Sequence, residues 1–289
     1  MTMRRWLYLS AIMCLAVAAG FGALHYGTGA SMPNPEDGSI TAGAYTNEYF
    51  DLSYPLPSEW TEDLAGPGAS GSGYYTLGTF VPPGELTGTI MIAAQDMFFA
   101  AGPQDTAVAM VADFHHAMSE IDGMTIDQAP LQTTMGGRDF HRVDFSGVGL
   151  YRAMLATEIR CHLVSFNITT SDPERRAALV TSVNNLSSPR GGKAGSAGPP
   201  CIKDYASDAN VLHKVEPVFG GSVVESIPAR IIVGTDGGVK HVHVIRATPE
   251  RRDEIVRAVA QWKLKPFLQN GRPVAVETGL VFRPTFAQR

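Results

Sequence analysis

Positive charge is scarce in this sequence. Lysine and arginine number 23 against 28 acidic residues, so the net charge is −5 and the sequence pI is about 5.9. No dense run of lysine and arginine occurs along the chain. Binding to phosphate groups requires a concentrated positive surface, so the composition excludes nucleic acid and anionic lipid as expected partners.

The sequence signatures of catalysis are also missing. There is no Gly-x-Ser-x-Gly turn between a strand and a helix, and no cysteine stands in a recognisable peptidase setting. The Gly/Ser-rich residues 66–73 lack the Lys-Ser/Thr ending of a phosphate-binding loop, and we expect a flexible loop there. We therefore expect a protein without enzymatic activity and without a cofactor.

The N-terminus of the chain is strongly apolar. Two arginines precede an almost uninterrupted apolar stretch over residues 6–24, and Thr28 and Ala30 occupy the −3 and −1 positions of a cleavage site. This pattern predicts export, with residues 1–30 acting as a cleaved signal peptide or as a retained anchor, because ~20 apolar residues span a bilayer. We expect a periplasmic protein, anchored in the inner membrane by residues 6–24 if the segment is retained.

Export determines how the few cysteines are interpreted. Cys14 lies in the apolar N-terminus, which leaves Cys161 and Cys201 in the remainder of the chain. An oxidising compartment permits these two cysteines to form a disulfide. The alternative is one buried cysteine in a strand and one inert thiol in a linker.

Composition divides the rest of the chain into two globular segments. Residues 31–43 are rich in Pro, Gly and small polar residues and predict a short spacer, and residues 189–200 predict a linker of the same kind. We place the domain boundary at this linker, which gives domains over residues 44–188 and 201–289. Hydrophobic residues make up 44% of the chain, enough for a core in each domain.

The first domain is predicted to be an antiparallel sheet covered by helices, of the α+β class. Helical spacing of apolar residues predicts one helix over residues 105–121, and Asp172 followed by Pro173 predicts the start of another. Alternating or continuous apolar residues predict strands over residues 49–54, 88–94, 138–146, 151–159 and 162–169.

This arrangement resembles the PsbP/Mog1-like fold over residues 45–187. Residues 49–55 with Trp60, and the terminal helix after Asp172, carry the resemblance. Proteins of that family serve mostly as binding or accessory domains, so the resemblance implies no particular chemistry.

The second domain is predicted to have the order strand, strand, helix, strand. Residues 229–245 form two strands joined at an Asp-Gly pair, which supplies the positive φ of a hairpin turn. A helix capped by Thr248 follows, carries Trp262 on its apolar face and ends at Pro266. After an Asn-Gly turn, residues 273–282 form the third strand.

This order resembles the TonB C-terminal domain over residues 216–286 and implies a β-β-α-β fold. The family's Pro-x-Tyr lead-in is matched by Pro217 and Phe219, with Phe in place of Tyr. The other matching positions are the hairpin turn, the end of the helix and the third strand with its turn: Asp236, Gly237, Ala258, Val259, Trp262, Pro266, Asn270, Gly271, Pro273, Val274 and Phe282.

The TonB resemblance implies a mode of binding. TonB-like domains add a short segment of an outer-membrane receptor as a strand to their sheet edge. The expected partner is such a receptor peptide or another envelope protein, paired with the third strand or its neighbour, and a homodimer is left open. The candidate partner-binding residues, which alternatively form only core and sheet, are Val274, Val276, Thr278, Leu280 and Phe282.

The spacers bear on whether a transport function accompanies the fold. An energy transducer needs a long stalk, whereas residues 31–43 reach only about 43 Å at ~3.3 Å per residue. We therefore expect a non-enzymatic interaction protein of the cell envelope. The alternatives are a full TonB-type transducer for transmembrane transport, and a periplasmic ligand-binding or accessory protein acting through the first domain.

Three further groups of polar residues could form sites. His241 and His243 share one face of a strand and could bind a metal with His213, although a solvated face is the expected reading and no metal site is predicted. His115 and His116 point in different directions on a helix. An acidic cluster around Trp60 is expected to be a solvated turn; it comprises Asp51, Glu59, Glu62 and Asp63.

Overall fold

The computed structural model describes residues 32–62, 68–84, 88–100, 106–190, 198–219 and 225–283. Residues Met32–Arg289 form one compact unit. The predicted signal or anchor, and residues 191–197 of the predicted linker, lie outside the described residues. Within the described ranges, no helix is long and apolar enough to cross a membrane.

A small antiparallel sheet begins this unit, with strands β1 (Gly38–Thr41), β2 (Ala44–Asn47) and β3 (Leu52–Pro55) in that order. Tyr45 and Tyr54 alternate with more exposed residues and lie in the core. The predicted strand over residues 49–54 was wrong at its start. Residues 49–51 form a turn, because Asp51 has a φ of 48°, which an extended strand does not permit.

The larger sheet is antiparallel throughout, in the order β4-β5-β6-β10-β9-β8-β7. Its strands are β4 (Thr61–Glu62), β5 (Tyr74–Val81), β6 (Gly88–Asp96), β7 (Thr125–Met135), β8 (Arg138–Gly147), β9 (Leu150–Ile159) and β10 (His162–Thr170). The predicted strands over residues 88–94, 138–146, 151–159 and 162–169 are confirmed, whereas β4, β5 and β7 were not predicted.

Two helices cover opposite faces of this sheet. Val111 of helix α1 (Ala107–Ser119) shares a hydrophobic cluster with Leu163 of β10, and Leu179 of helix α2 (Pro173–Ser182) shares another with Phe166. Because successive strand residues face opposite sides, odd and even positions of β10 lie on opposite faces of the sheet. The predicted cap Asp172 accepts a hydrogen bond from the backbone N–H of Glu174.

The C-terminal part contains a second core sheet, in the order β13-β12-β17. Helix α3 (Pro249–Val259) shares the hydrophobic cluster of this sheet. The strands of this part are β11 (Val211–His213), β12 (Ile227–Val233), β13 (Val239–Val244), β14 (Lys263–Leu264), β15 (Phe267–Gln269), β16 (Arg272–Val274) and β17 (Val276–Phe282). The whole is a sheet-dominated α+β fold with few helices, as the sequence predicts.

Strand β12 is buried at every residue, on both of its faces. Ala229 and Ile231 belong to the cluster shared with α3. Arg230 points from the other face toward Asp96, at the end of β6. Through this face, the β13-β12-β17 sheet packs on the seven-stranded sheet.

The predicted third helix was too long. It ends at Val259, so Trp262 and Pro266 lie beyond it. The chain turns away because the Trp262 indole N–H donates to the Val215 carbonyl and the Leu264 N–H donates to the Gly237 carbonyl. These tertiary bonds replace another helical turn.

The predicted strand over residues 273–282 is two strands. Residues Arg272–Val274 pair with Phe267–Gln269 around the positive-φ turn Asn270-Gly271, and β17 pairs instead with β12. The chain leaves the hairpin at Ala275, so Val274 does not share a strand face with the other candidate residues. That part of the prediction was wrong.

Candidate functional site

Strand β17 is an edge strand of the β13-β12-β17 sheet, and part of its outward backbone is already hydrogen-bonded. The N–H of Glu277 donates to the carbonyl of Pro200 and the N–H of Ile202 donates to the carbonyl of Glu277, each at 2.9 Å. The backbone of Glu277 therefore faces away from β12. Because backbone polar groups alternate in direction along a strand, Gly279 and Val281 also face outward. No backbone partner for them occurs among the described residues.

The side chains of the candidate binding residues are mostly core. Val276 and Thr278 are completely buried and Leu280 is 8% exposed, all on the face toward α3. Phe282 is half-buried against the same cluster. A partner would consequently meet the outer backbone of β17 rather than these side chains.

A cleft of about 300 Å³ adjoins the open part of β17. Its walls include Phe98, Phe99, Pro228 and Val281, and Val281 is 52% exposed. Gly279 permits the close approach of the two phenylalanines, because a Cβ added there would lie 3.0 Å from Phe99 and 3.2 Å from Phe98. Outward backbone groups and an apolar cleft thus lie side by side.

The predicted motif residues divide by exposure: Gly237 and Trp262 are buried, whereas Asp236, Pro266, Gly271 and Pro273 are exposed. Gly237, at φ 76°, lies so close to Leu264 that an added Cβ would be 2.0 Å from its carbonyl oxygen. Asp236 closes the same turn by accepting from the Gly238 N–H. Trp262 is 4% exposed, and Gly271 and Pro273 belong to the β15–β16 hairpin.

A buried ionic network joins β12 and β17 to the large sheet, and we call it the interface network. Arg230 donates to Asp96 at 2.7 Å and to Glu277 at 3.2 Å, and all three side chains are at most 2% exposed. Arg160 donates to the second oxygen of Glu277 at 3.0 Å, and the Tyr49 hydroxyl donates to the first at 2.8 Å. Two guanidinium groups therefore balance two carboxylates.

Each of the two guanidinium groups of the network, those of Arg160 and Arg230, lies over one aromatic ring. The Arg160 guanidinium lies 3.9 Å from the centre of the Tyr49 ring, and that of Arg230 lies 4.4 Å from the centre of the Phe98 ring. Phe98 thereby links the interface network to the cleft.

Burial and charge act in opposite directions on the network's acids. Burial tends to raise the pKa of Glu277, but Arg230 and Arg160 more than offset it, so the pKa lies below the ordinary value. Burial raises the pKa of Asp96, and Arg230 offsets this only in part. Burial alone would lower the pKa of Arg230, yet the surrounding Tyr49, Asp96 and Glu277 keep it above its ordinary range.

His162 lies fully buried beside this network and is neutral. Its Nδ1 is 2.8 Å from the Arg160 carbonyl, and a carbonyl can only accept, so Nδ1 carries the proton. Burial and the nearby Arg230 charge hold the pKa of His162 well below its ordinary value. A second proton would add a third cation to a balanced network.

A disulfide joins Cys161 to Cys201, the pairing that the sequence left open, with the two Cα atoms 6.1 Å apart. Cys161 and Arg160 form the two-residue turn between β9 and β10, and both have positive φ, at 56° and 48°. Hairpin turns of this kind favour Asn-Gly, so two larger residues adopt a costly conformation here. Both also reach across to the C-terminal part.

The histidine pair on β13 faces the N-terminal segment. His241 Nε2 is 3.2 Å from the Asn34 side-chain oxygen, and His243 Nε2 is 3.3 Å from a Glu36 oxygen. His213 lies in a different sheet, β11–β14. Among the residues that the structure describes, no group of three or more potential metal ligands occurs.

The predicted acidic cluster is not one solvated turn. Asp51 is 6% exposed and accepts a hydrogen bond from Ser188, which corrects the expectation for that residue. Glu59 is exposed, and the side chains of Glu62 and Asp63 lie outside the described residues. His116 pairs with Glu120 on the exposed side of α1.

Sequence reasoning missed the interface network entirely. The available signal was a single charge inside each of two apolar strands, Arg230 in Ile227–Val233 and Glu277 in Val276–Phe282. A charge that interrupts an apolar strand requires a buried partner. The partner's identity depends on tertiary packing.

No protein-family model matches the chain, and no curated protein matches it. Among solved structures, a cyanobacterial PsbP from Synechocystis is 11% identical, covers 52% of this chain and 95% of its own, and has a TM-score of 0.37. LpqN of Mycobacterium tuberculosis, described as involved in cell envelope biogenesis, is 13% identical, with 54% and 88% coverage and a TM-score of 0.29. A Pseudomonas aeruginosa protein of unknown function is 12% identical, with 51% and 93% coverage and the same TM-score. At such TM-scores the likenesses carry no argument about function.

Proposed function

We propose that this protein is a non-enzymatic interaction protein of the cell envelope that binds an extended peptide along the outer edge of β17. In this proposal the C-terminal part is a TonB-like domain, and the peptide comes from an outer-membrane receptor or another envelope protein. The observation that carries the proposal is the outer edge itself. It pairs with an extended segment at Glu277, and no other described residue bonds to the outward backbone of Gly279 and Val281.

The geometry of the edge suits strand addition. In that mode of binding, main-chain hydrogen bonds supply affinity and pockets for alternate side chains supply selectivity. Gly279 and Val281 offer two outward N–H groups and two outward carbonyls, and the cleft beside Phe98 and Phe99 would take an apolar side chain of the peptide. The half-buried disulfide favours an oxidising compartment, which supports placing the protein in the periplasm.

The binding mode is tested by blocking one edge at a time. Peptides selected from a random dodecapeptide phage library against the full chain serve as probes, and their affinity is measured by fluorescence anisotropy. Val281→Pro removes an outward N–H without removing a bond to β12, because proline is tolerated where the N–H faces out of an edge strand. We expect this variant to bind at least tenfold more weakly.

The matched control is Val242→Pro on the opposite edge. The N–H of Ile245 points toward β12, where it donates to the Pro228 carbonyl. Because backbone N–H groups alternate in direction along a strand, the N–H of Val242 points away from β12. We expect its affinity to stay within threefold of the wild type. Failure to select any peptide, or equal losses in both variants, would contradict the proposal.

A further inference from the structure

Part of the β17 edge is covered by the chain itself. Residues 200–203, which we call the linker strand, run parallel to β17 and make a bridge between Cys201 and Glu277. Besides the two backbone bonds at Glu277, the Thr278 hydroxyl donates to the carbonyl of Lys203 at 3.1 Å. The linker strand therefore occupies the same row of outward groups that Gly279 and Val281 continue.

One covalent bond anchors the linker strand at its centre. Cys201, the residue opposite Glu277, is bonded to Cys161 at the tip of the β9–β10 hairpin. Arg160, the other residue of that tip, holds the Glu277 side chain by an ion pair. The hairpin tip is therefore joined to β17 by the Arg160 ion pair and to the linker strand by the Cys161 disulfide, and the two bonds are independent.

The two bonds respond differently to a reductant. Cys161 and Cys201 are each half-buried, so a thiolate can approach the bridge, whereas Glu277 is only 2% exposed and keeps its contacts with Arg230, Arg160 and Tyr49. Among the described residues, breaking the disulfide leaves three hydrogen bonds between the linker strand and β17, while β17 remains paired with β12 along its length.

We propose that the linker strand is an autoinhibitory cover of the peptide-binding edge and that the Cys161–Cys201 disulfide is its redox lock. This inference rests on the proposed function, whose site it regulates. In the oxidised protein only the segment around Gly279 and Val281 is open. In the reduced protein the linker strand leaves, and the open edge extends back to Glu277.

The reductant is a dithiol. Its first thiolate attacks one sulfur of the Cys161–Cys201 bond, which forms a mixed disulfide and releases the other cysteine as a thiolate. The second thiolate of the reductant then displaces the remaining cysteine and becomes half of a new disulfide. Two electrons pass to the protein, its two cysteines take up two protons, and the dithiol is oxidised.

Backbone hydrogen exchange on the full chain tests the release without any peptide. With a dithiol reductant we expect the Glu277 amide, which is bonded to Pro200, to exchange at least tenfold faster. The amides of Thr278 and Ile231, which face each other across β17 and β12, should keep their protection. Unchanged exchange at Glu277, or equal acceleration at all three amides, would overturn the proposal.

Peptide affinity tests the consequence. A dodecapeptide selected against the reduced chain should bind the reduced protein at least tenfold more tightly than the oxidised protein. Ile202→Pro removes the N–H that donates to Glu277 while leaving the disulfide intact, and it should raise affinity under oxidising conditions. Lys203→Pro is the matched control, because its N–H makes no backbone bond among the described residues.

The outcomes separate the two proposals. Equal affinity in both redox states and in Ile202→Pro would overturn the lock while leaving peptide binding at the edge intact. Absence of peptide binding in either state would overturn the proposed function itself, whatever the exchange at Glu277.

Discussion

Arg230 is 2% exposed and lies at the centre of β12, between Ala229 and Ile231, which belong to the hydrophobic cluster shared with α3. Its guanidinium contacts Asp96 of the large sheet and Glu277 of the neighbouring strand. Desolvating such charges costs several kcal/mol per ion, so the network is stable only because each charge contacts an opposite charge. It therefore specifies how the two sheets meet more than it adds to net stability.

Replacing Arg230 alone should be severely destabilising. Arg230→Met should lower the free energy of unfolding by about 3–5 kcal/mol, because Asp96 and Glu277 are left buried without their shared cation. Urea unfolding followed by circular dichroism measures the change. The control is Arg257→Met, which breaks an exposed pair with Glu254 and should leave the free energy of unfolding almost unchanged. Similar losses in the two variants would contradict the account.

The two network acids should affect acid stability with opposite signs. The pKa of Glu277 is lowered on folding, so its contribution is fully present above the ordinary value of 4.5 and is lost as pH falls through the folded value. The pKa of Asp96 is raised, so its contribution is present at low pH and is lost as pH rises through the folded value.

Unfolding free energies measured between pH 7 and pH 3 check this assignment. Relative to the wild type, Glu277→Gln should lose stability less steeply below about pH 4.5, because the wild-type carboxylate is the group being protonated. Asp96→Asn should lose stability more steeply, because a group that favours the folded state in acid is gone. Parallel curves for all three proteins would contradict it.

At the scale of secondary-structure elements, the β9–β10 hairpin connects the two parts of the unit. Its turn residues, Arg160 and Cys161, both adopt positive φ and both bond to the C-terminal part. Residues that are neither Gly nor Asn stay in such a turn only when the surrounding structure compensates the cost. The ion pair and the disulfide are that compensation.

Removing the disulfide should lower stability without abolishing the fold. The bridge closes a separation of 40 residues, for which the loop-entropy relation gives about 4 kcal/mol. The double variant Cys161→Ser/Cys201→Ser should therefore unfold at a lower denaturant concentration than the oxidised wild type. Adding a dithiol should shift the wild type to the same midpoint and leave the variant unchanged. A variant as stable as the oxidised wild type would contradict the prediction.

How far the sequence predicts these elements depends on how local their causes are. The strands β8, β9 and β10 and the start of α2 follow from apolar periodicity and from Asp172 as a cap, which are local signals. The end of α3 and the break at Ala275 follow from hydrogen bonds to Gly237 and from hairpin pairing with Phe267, which lie elsewhere in the chain. Periodicity does not report such bonds.

At the scale of the whole molecule, the interface network and the Cys161–Cys201 disulfide join the seven-stranded sheet to the C-terminal part. The candidate site could be predicted in part, since the third strand was expected to pair with a peptide, a prediction that remains untested. The interface network could not, because Asp96, Arg160 and Glu277 are more than 60 residues apart in sequence and meet only through the packing of the sheets. The same packing decides which half of the β17 edge is open.

A hydrogen-exchange footprint of a bound peptide tests directly whether β17 is the binding edge. With a selected dodecapeptide at saturation, the outward amides of Gly279 and Val281 should exchange at least tenfold more slowly, because they then donate to the peptide backbone. The outward amides of Val242 and Val244 on the opposite edge should be unchanged. Slower exchange on β13 with no change at Gly279 and Val281 would contradict the claim that β17 is the binding edge.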